Sequence, residues 1–248
     1  MLIRARRNLG GAARNIGAAY AHTPYIAFCD DDIRWEPGAL ERAAATLDAA
    51  PDVAVLSACM QIGPARQLSP ACMNMAQSPL PRGRLPGPRL LDFMARACVM
   101  RTRAFIDAGG YWPPFSMGGE EALMALDMEE RGWHVVYAAD VVGRCFPSGR
   151  EDSRLRERRR IRNDIWLTWM RRPWRPAWRR TCKQLGHARL KRIFWRTLAD
   201  VAVGMPRVLC QRRVISPSLE NMRALFDAEA PFDLQAGLAS MMSSSQKF

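Results

Sequence analysis

The chain has 248 residues, 48% of them hydrophobic and 25% charged, which suffices for a buried core and excludes a disordered chain. Its net charge of +13 is uneven: residues 1–150 carry +1 and residues 151–248 carry +12, so any attraction to polyanions belongs to the second part. Seven scattered cysteines without a CxxC pair exclude a disulfide frame or a zinc site and predict reduced thiols in a cytoplasm. No apolar run reaches the roughly 18 residues of a membrane span. The N-terminus starts basic and ends in small residues like a secretory leader, but Arg14 and the glycines at 10 and 11 interrupt its apolar segment.

In chain order, the small-residue run 11–21, with Ile16 and Tyr20 four apart, predicts a helix stopped at Pro24. Residues 25–29 predict a short buried strand, 38–49 a helix opened by Pro37, and 53–58 a second buried strand. This alternation is the pattern of a mostly parallel α/β sheet. Residues 61–90 hold six prolines and no sustained period, and read as a long loop. A strand is predicted over 93–101, a short helix over 102–108, a helix over 119–131 after two glycines, and a strand over 134–138. From residue 151 the pattern is helical, with Ile161, Ile165 and Trp169 on one face, and the chain shows no internal repeat.

Two acidic motifs stand out. Asp30, Asp31 and Asp32 follow the apolar strand 25–29, so three like charges sit at a strand end where a positive partner is expected. Alternation along an extended backbone would turn Asp30 and Asp32 one way and Asp31 the other, and two converging carboxylates suit a hard cation such as Mg²⁺ or Mn²⁺. An acidic loop that merely starts the next helix accounts for this run taken alone. Glu120 and Glu121 follow Gly118 and Gly119 in the first turn of a helix, where the helix dipole is expected to keep a carboxylate ionised and able to act as a general base. A simple preference for acids at helix starts explains that pair alone equally well.

Four segments taken together, residues 8–17, FCDDDIRWEPGAL (28–40), AGGYWPPFSMGGEEALMALDMEERGW (108–133) and FPSGREDSRLRERRRIRNDIW (146–166), resemble family 2 glycosyltransferases of the GT-A fold. The resemblance implies a GT-A-like α/β domain over 1–150, lacking the family's first strand and base-holding turn at its N-terminus, followed by a basic helical region over 151–248. It implies a nucleotide-diphospho-sugar donor, with Asp30 and Asp32 on the side of a Mg²⁺ or Mn²⁺ ion, Asp31 facing the ribose, and Arg14 and Asn15 beside the diphosphate. The base would be Glu121, the second of the pair, with Glu120 as the alternative, and Trp112 could stack on the acceptor sugar. The implied reaction is metal-dependent, inverting transfer to a saccharide or lipid-linked acceptor in the assembly of a bacterial surface polysaccharide. The histidine that many relatives carry after the following strand is absent from residues 142–146, where Arg144 stands. The other readings are a catalytically degenerate fragment and a basic protein that binds nucleic acid or a membrane surface.

Residues 154–196 hold Trp166, Trp169, Trp174, Trp178 and Trp195 among many arginines. Such interleaving serves nucleic-acid binding, an interfacial helix on anionic lipid, or a helical cap with solvated arginines. The cap is the reading carried forward. Contact with an anionic membrane at the inner face of the cell is compatible with it, whereas nucleic acid leaves both acidic motifs unexplained.

Overall fold

The computed structural model describes residues 2–6, 8–115, 118–146 and 153–229. The expected domain boundary at 150/151 and residues 230–248 lie outside them.

A single turn of 3₁₀ helix, Gly10–Ala12, leads into α1 (Ala13–Ala19), and then β1 (Tyr25–Cys29), β2 (Ile33–Trp35), α2 (Ala39–Ala49) and β3 (Val53–Ile62) follow. Ala39, Ala43 and Leu47 recur at helical spacing and are fully buried, which seats α2 on the sheet. The first eight residues of β3 are all buried, as a strand covered on both faces requires. The segment read as a loop holds β4 (Gln67–Leu68), α3 (Pro70–Ala76) and β5 (Arg89–Leu90). These elements are too short for a period to show in the sequence. β6 (Ala97–Arg101), α4 (Thr102–Asp107), α5 (Glu120–Glu129) and β7 (His134–Cys145) complete the first part.

The sheet runs β1-β6-β3-β7-β2, with β4 and β5 paired to β3 and β7. It is mixed rather than mostly parallel: β3 and β7 pair parallel, whereas β6 enters antiparallel between β1 and β3. Strict alternation of helix and strand would have set like-directed strands side by side, but the long connection over 63–96 returns β6 in the opposite sense. β7 runs seven residues beyond its expected end. Exposed Ala139 and Asp140 imitate a strand terminus, yet they lie where the β3 pairing shifts register, and the strand resumes to pair with β2.

Among the described residues four helices follow, α6 (Ser153–Arg171), α7 (Trp174–Leu190), α8 (Phe194–Cys210) and α9 (Pro217–Glu229). Two apolar cores result, one around the sheet and one among the helices. α5 lies in the seam, with Met124, Ala125 and Met128 in the sheet core and Ala122, Leu123 and Leu126 in the helical one. Burial on all sides follows for α5, and with it for the acidic pair at its N-terminus.

Candidate active site

Asp30–Asp32 form a turn, not an extended run: Ile33 N–H donates to the Asp30 carbonyl at 3.1 Å and Phe146 N–H to the Asp32 carbonyl at 2.8 Å. Asp30 and Asp32 converge nonetheless. Arg96 Nη2 lies 2.7 Å from each carboxylate oxygen of Asp32, and its Nε lies 3.4 Å from Asp30 Oδ2. Arg14 Nη2 bonds Asp30 Oδ1 at 2.5 Å, and the Cys145 thiol donates to Asp32 Oδ2 at 3.6 Å. All four oxygens of the pair therefore have protein partners, while Asp31 is exposed. Burial opposes the charge of Arg96, but the bond and field of Asp32 outweigh it and raise its pKa. Burial likewise pushes the Cys145 thiol up to about 11, with Asp32 adding to the rise.

Positive charge beside the aspartates comes from Arg14 on α1 and from Arg96, in the turn just before β6. Pairing of Cys29 with Ala97 brings Arg96 alongside Asp30, whose N–H donates to the Arg96 carbonyl at 3.1 Å. Nothing in the sequence around residue 96 announces this, because the contact depends on strand register.

At the second motif, Gly118 and Gly119 adopt φ of 78° and 90°, a left-handed turn that other residues rarely accept. Asn163 on α6 donates from Nδ2 to the Gly118 carbonyl at 2.6 Å and is fully buried, so the helical region latches the turn. Sequence reasoning passed over Asn163. Glu120 and Glu121 are both buried, and Glu120 Oε2 has no hydrogen-bond partner among the described residues. Burial raises both pKa values, and in Glu121 the charge of Glu120 adds to the effect and carries it well above the usual range. The expectation that the helix dipole keeps these carboxylates ionised is corrected. Desolvation in the seam outweighs a dipole worth about 0.3–1 kcal/mol.

Arg14 links the motifs. Burial is the largest single effect and opposes its charge, but the fields of Asp30, Tyr111, Cys98 and Glu121 together outweigh it and raise its pKa. A side chain on Gly11 would begin 2.7 Å from Glu120 Oε1, so the turn before α1 lies directly against the acidic pair.

Asn15, expected beside a donor diphosphate, is used otherwise. Its Nδ2 donates to the Tyr111 carbonyl and its Oδ1 accepts from the Tyr111 N–H, both at 2.8 Å, which fixes α1 to the chain ahead of α5. Trp112 packs edge-on against Phe115 and Trp166, with centroids 5.0 and 6.2 Å away, so its ring belongs to the helical-side core. Arg144 lies 3.4 Å from Glu36 and over Phe146, and His134 pairs with Glu129 at 3.1 Å.

Asp30 and Asp32 offer hard oxygen donors that meet at one cation, with the Arg96 guanidinium as its stand-in, and this fits a divalent ion. Among the described residues no group of three His, Cys, Asp or Glu is placed to hold a metal. Such an ion would have two protein carboxylates and take its other ligands from a bound diphosphate, a common arrangement for Mg²⁺.

This geometry, an aspartate turn facing a buried acidic helix start across an arginine, can be set beside known proteins. Residues 1–109, less than half of the chain, match the glycosyl transferase family 2. The matched segment takes in Arg14 and the aspartate turn and stops before Glu120 and Glu121. The structure of GalNAc-T7 with UDP, GalNAc and Mn²⁺ is similar with a TM-score of 0.52 at 11% identity, covering 98% of this chain and 45% of that one. S. aureus TarS 1–349 in complex with UDP-GlcNAc is similar with a TM-score of 0.52 at 15% identity, covering 96% of this chain and 73% of that one. The fold is accordingly that of GT-A glycosyltransferases. This chain spans less than half the length of the GalNAc-T7 chain. No curated protein matches the sequence.

Proposed function

We propose that this chain transfers a sugar from a nucleotide-diphosphate donor to a hydroxyl of a saccharide or lipid-linked acceptor, with inversion, in the building of a bacterial surface polysaccharide. The observation that carries the reading is Arg14, which bonds Asp30 while lying in the field of Glu121, so that both acidic motifs border one place.

Asp31, exposed beside the turn, is the group for the donor ribose. Asp30 and Asp32 would hold a divalent cation, which supplies charge neutralisation of the departing diphosphate. Arg14 holds Asp30 in place and adds positive charge on the same side. Glu121 is the general base for the acceptor hydroxyl. Its buried setting makes it a stronger base than a solvated glutamate and leaves less of it ionised at neutral pH. Glu120 shares the titration, because two adjacent buried carboxyls take up their protons as a pair. Trp112, packed on the helical-side core, is the aromatic group for the acceptor sugar.

Calorimetry of UDP binding with Mn²⁺ and with EDTA tests the donor side, and release of UDP from UDP-sugars in the presence of saccharide acceptors tests transfer. Metal-dependent binding together with acceptor-dependent release is the expected result. Absence of nucleotide binding under both conditions would favour the degenerate reading.

A further inference from the structure

The charges of the helical region divide into two sets. On and just after α6, Arg171 pairs with Asp127, Arg172 with Glu220 and Asp227, and Arg158 with Asp200, and on α9 Arg223 pairs with Asp227. On the outer faces of α7 and α8, Arg175, Arg179, Lys183, Arg189, Arg196 and Arg207 are exposed and form no ion pair among the described residues. Six exposed cations, unpaired among the described residues, are therefore displayed on these two helices.

The same faces display apolar surface. Trp174 is 63% exposed, Trp178 59%, Leu190 83%, Trp195 78% and Val203 84%. α8 is apolar nearly all round. Thr197, Val201 and Val208 face inward, and Trp195, Ala199, Ala202, Val203, Pro206 and Cys210 recur at helical spacing on the exposed side. A helix of that composition is ordinarily buried. Its rotation is fixed by Trp166, which donates from Nε1 to the Val201 carbonyl at 3.1 Å and presses on Gly204, where a methyl group would stand 2.0 Å from Cζ2. The exposed apolar stripe therefore cannot turn inward without losing that contact.

We propose that the outer faces of α7 and α8 seat in the headgroup layer of an anionic bilayer, with Trp174, Trp178 and Trp195 at the acyl boundary and the flanking cations on lipid phosphates. Charge complementarity and the apolar stripe together select this occupant. A nucleic-acid backbone would meet no cation on α8 between Arg196 and Arg207, a stretch of roughly 15 Å at 1.5 Å per residue. A second copy related by a two-fold axis would oppose like charges. No helix among the described residues is long and apolar enough to cross a membrane, so the contact is to its surface.

The test floats the full chain with vesicles of phosphatidylcholine alone and with added phosphatidylglycerol, at low and high salt. Binding to the anionic vesicles only, released by salt, is expected. Val203→Asp should weaken it at least tenfold, and Arg179→Gln with Lys183→Gln roughly fivefold per charge removed. These side chains are exposed, so unchanged thermal midpoints establish that the variants fold. Equal binding to both vesicle types, or wild-type binding by Val203→Asp, would overturn the proposal. So would a gel shift of nucleic acid without vesicle binding, or a dimer in velocity sedimentation that Val203→Asp dissolves. No nucleotide enters the assay, so its result is independent of the sugar-transfer reading.

Discussion

Arg96 and Asp32 meet through one nitrogen and two oxygens, 2.7 Å to each, and this contact closes the aspartate turn against β6. Charge-assisted bonds of this length are among the stronger polar contacts in proteins. A divalent cation arriving alone must displace the guanidinium, whereas one arriving with a diphosphate brings new acceptors for it. Arg96→Ala should therefore raise the affinity for Mn²⁺ without nucleotide by about tenfold or more, read by calorimetry. Unchanged affinity would mean that Arg96 leaves the carboxylates at no cost.

The two acidic motifs should fail at different steps. Glu121→Gln is expected to keep donor binding and lose turnover by roughly 10²–10⁴-fold, the usual worth of a general base. Asp32→Asn is expected to weaken metal-dependent donor binding. Full activity in Glu121→Gln with none in Glu120→Gln would exchange the roles within the pair.

Activity should rise with pH through a limb displaced above the ordinary carboxylate range, because burial and then the charge of Glu120 raise the pKa of Glu121. Glu120→Gln removes the like charge and should move that limb to lower pH. A pH profile of kcat/KM for both proteins decides it.

Stability should move the opposite way with pH. The folded chain binds the Glu121 proton more tightly than the unfolded chain does. The stability this contributes is full below the ordinary glutamate pKa and is lost as pH rises through the raised value. Glu121→Gln should match the wild type in acid and exceed its thermal midpoint at mildly alkaline pH. A constant difference across pH would show that the carboxyl does not titrate in this range.

Asn163→Ala leaves the buried Gly118 carbonyl without its donor. A loss of about 1–3 kcal/mol is expected by urea denaturation. Turnover should fall as well, since the turn carrying Glu120 and Glu121 loses its latch.

The elements were legible where the chain is regular. Residues 25–29 and 39–49 match their expected bounds almost to the residue, although β1 is an edge strand with only Phe28 buried rather than the buried strand expected, and the acidic motifs were visible as runs of like charge. Arg96 and Asn163 were not, since each reaches its partner through strand register or helix packing rather than through spacing along the chain. The ionisation of Glu120 and Glu121 was misread for a related reason. A helix start can be recognised from sequence, but the second core that buries it lies some 40 residues downstream on α6. The tryptophans divided in a way no composition could announce, with Trp166 and Trp169 bonding inward and Trp174, Trp178 and Trp195 left outside.

The two bonds between Asn15 and the Tyr111 backbone also bear on the stability of α1. α1 has seven residues, too few for an isolated helix to persist in water, so its order depends on a strap that spans 96 positions of chain. Arg14 rides on this helix, so its contact with Asp30 depends on the same strap. Amide exchange over 13–19 should accordingly be faster than over 53–60, and Asn15→Ala should accelerate it further while leaving the strand amides protected.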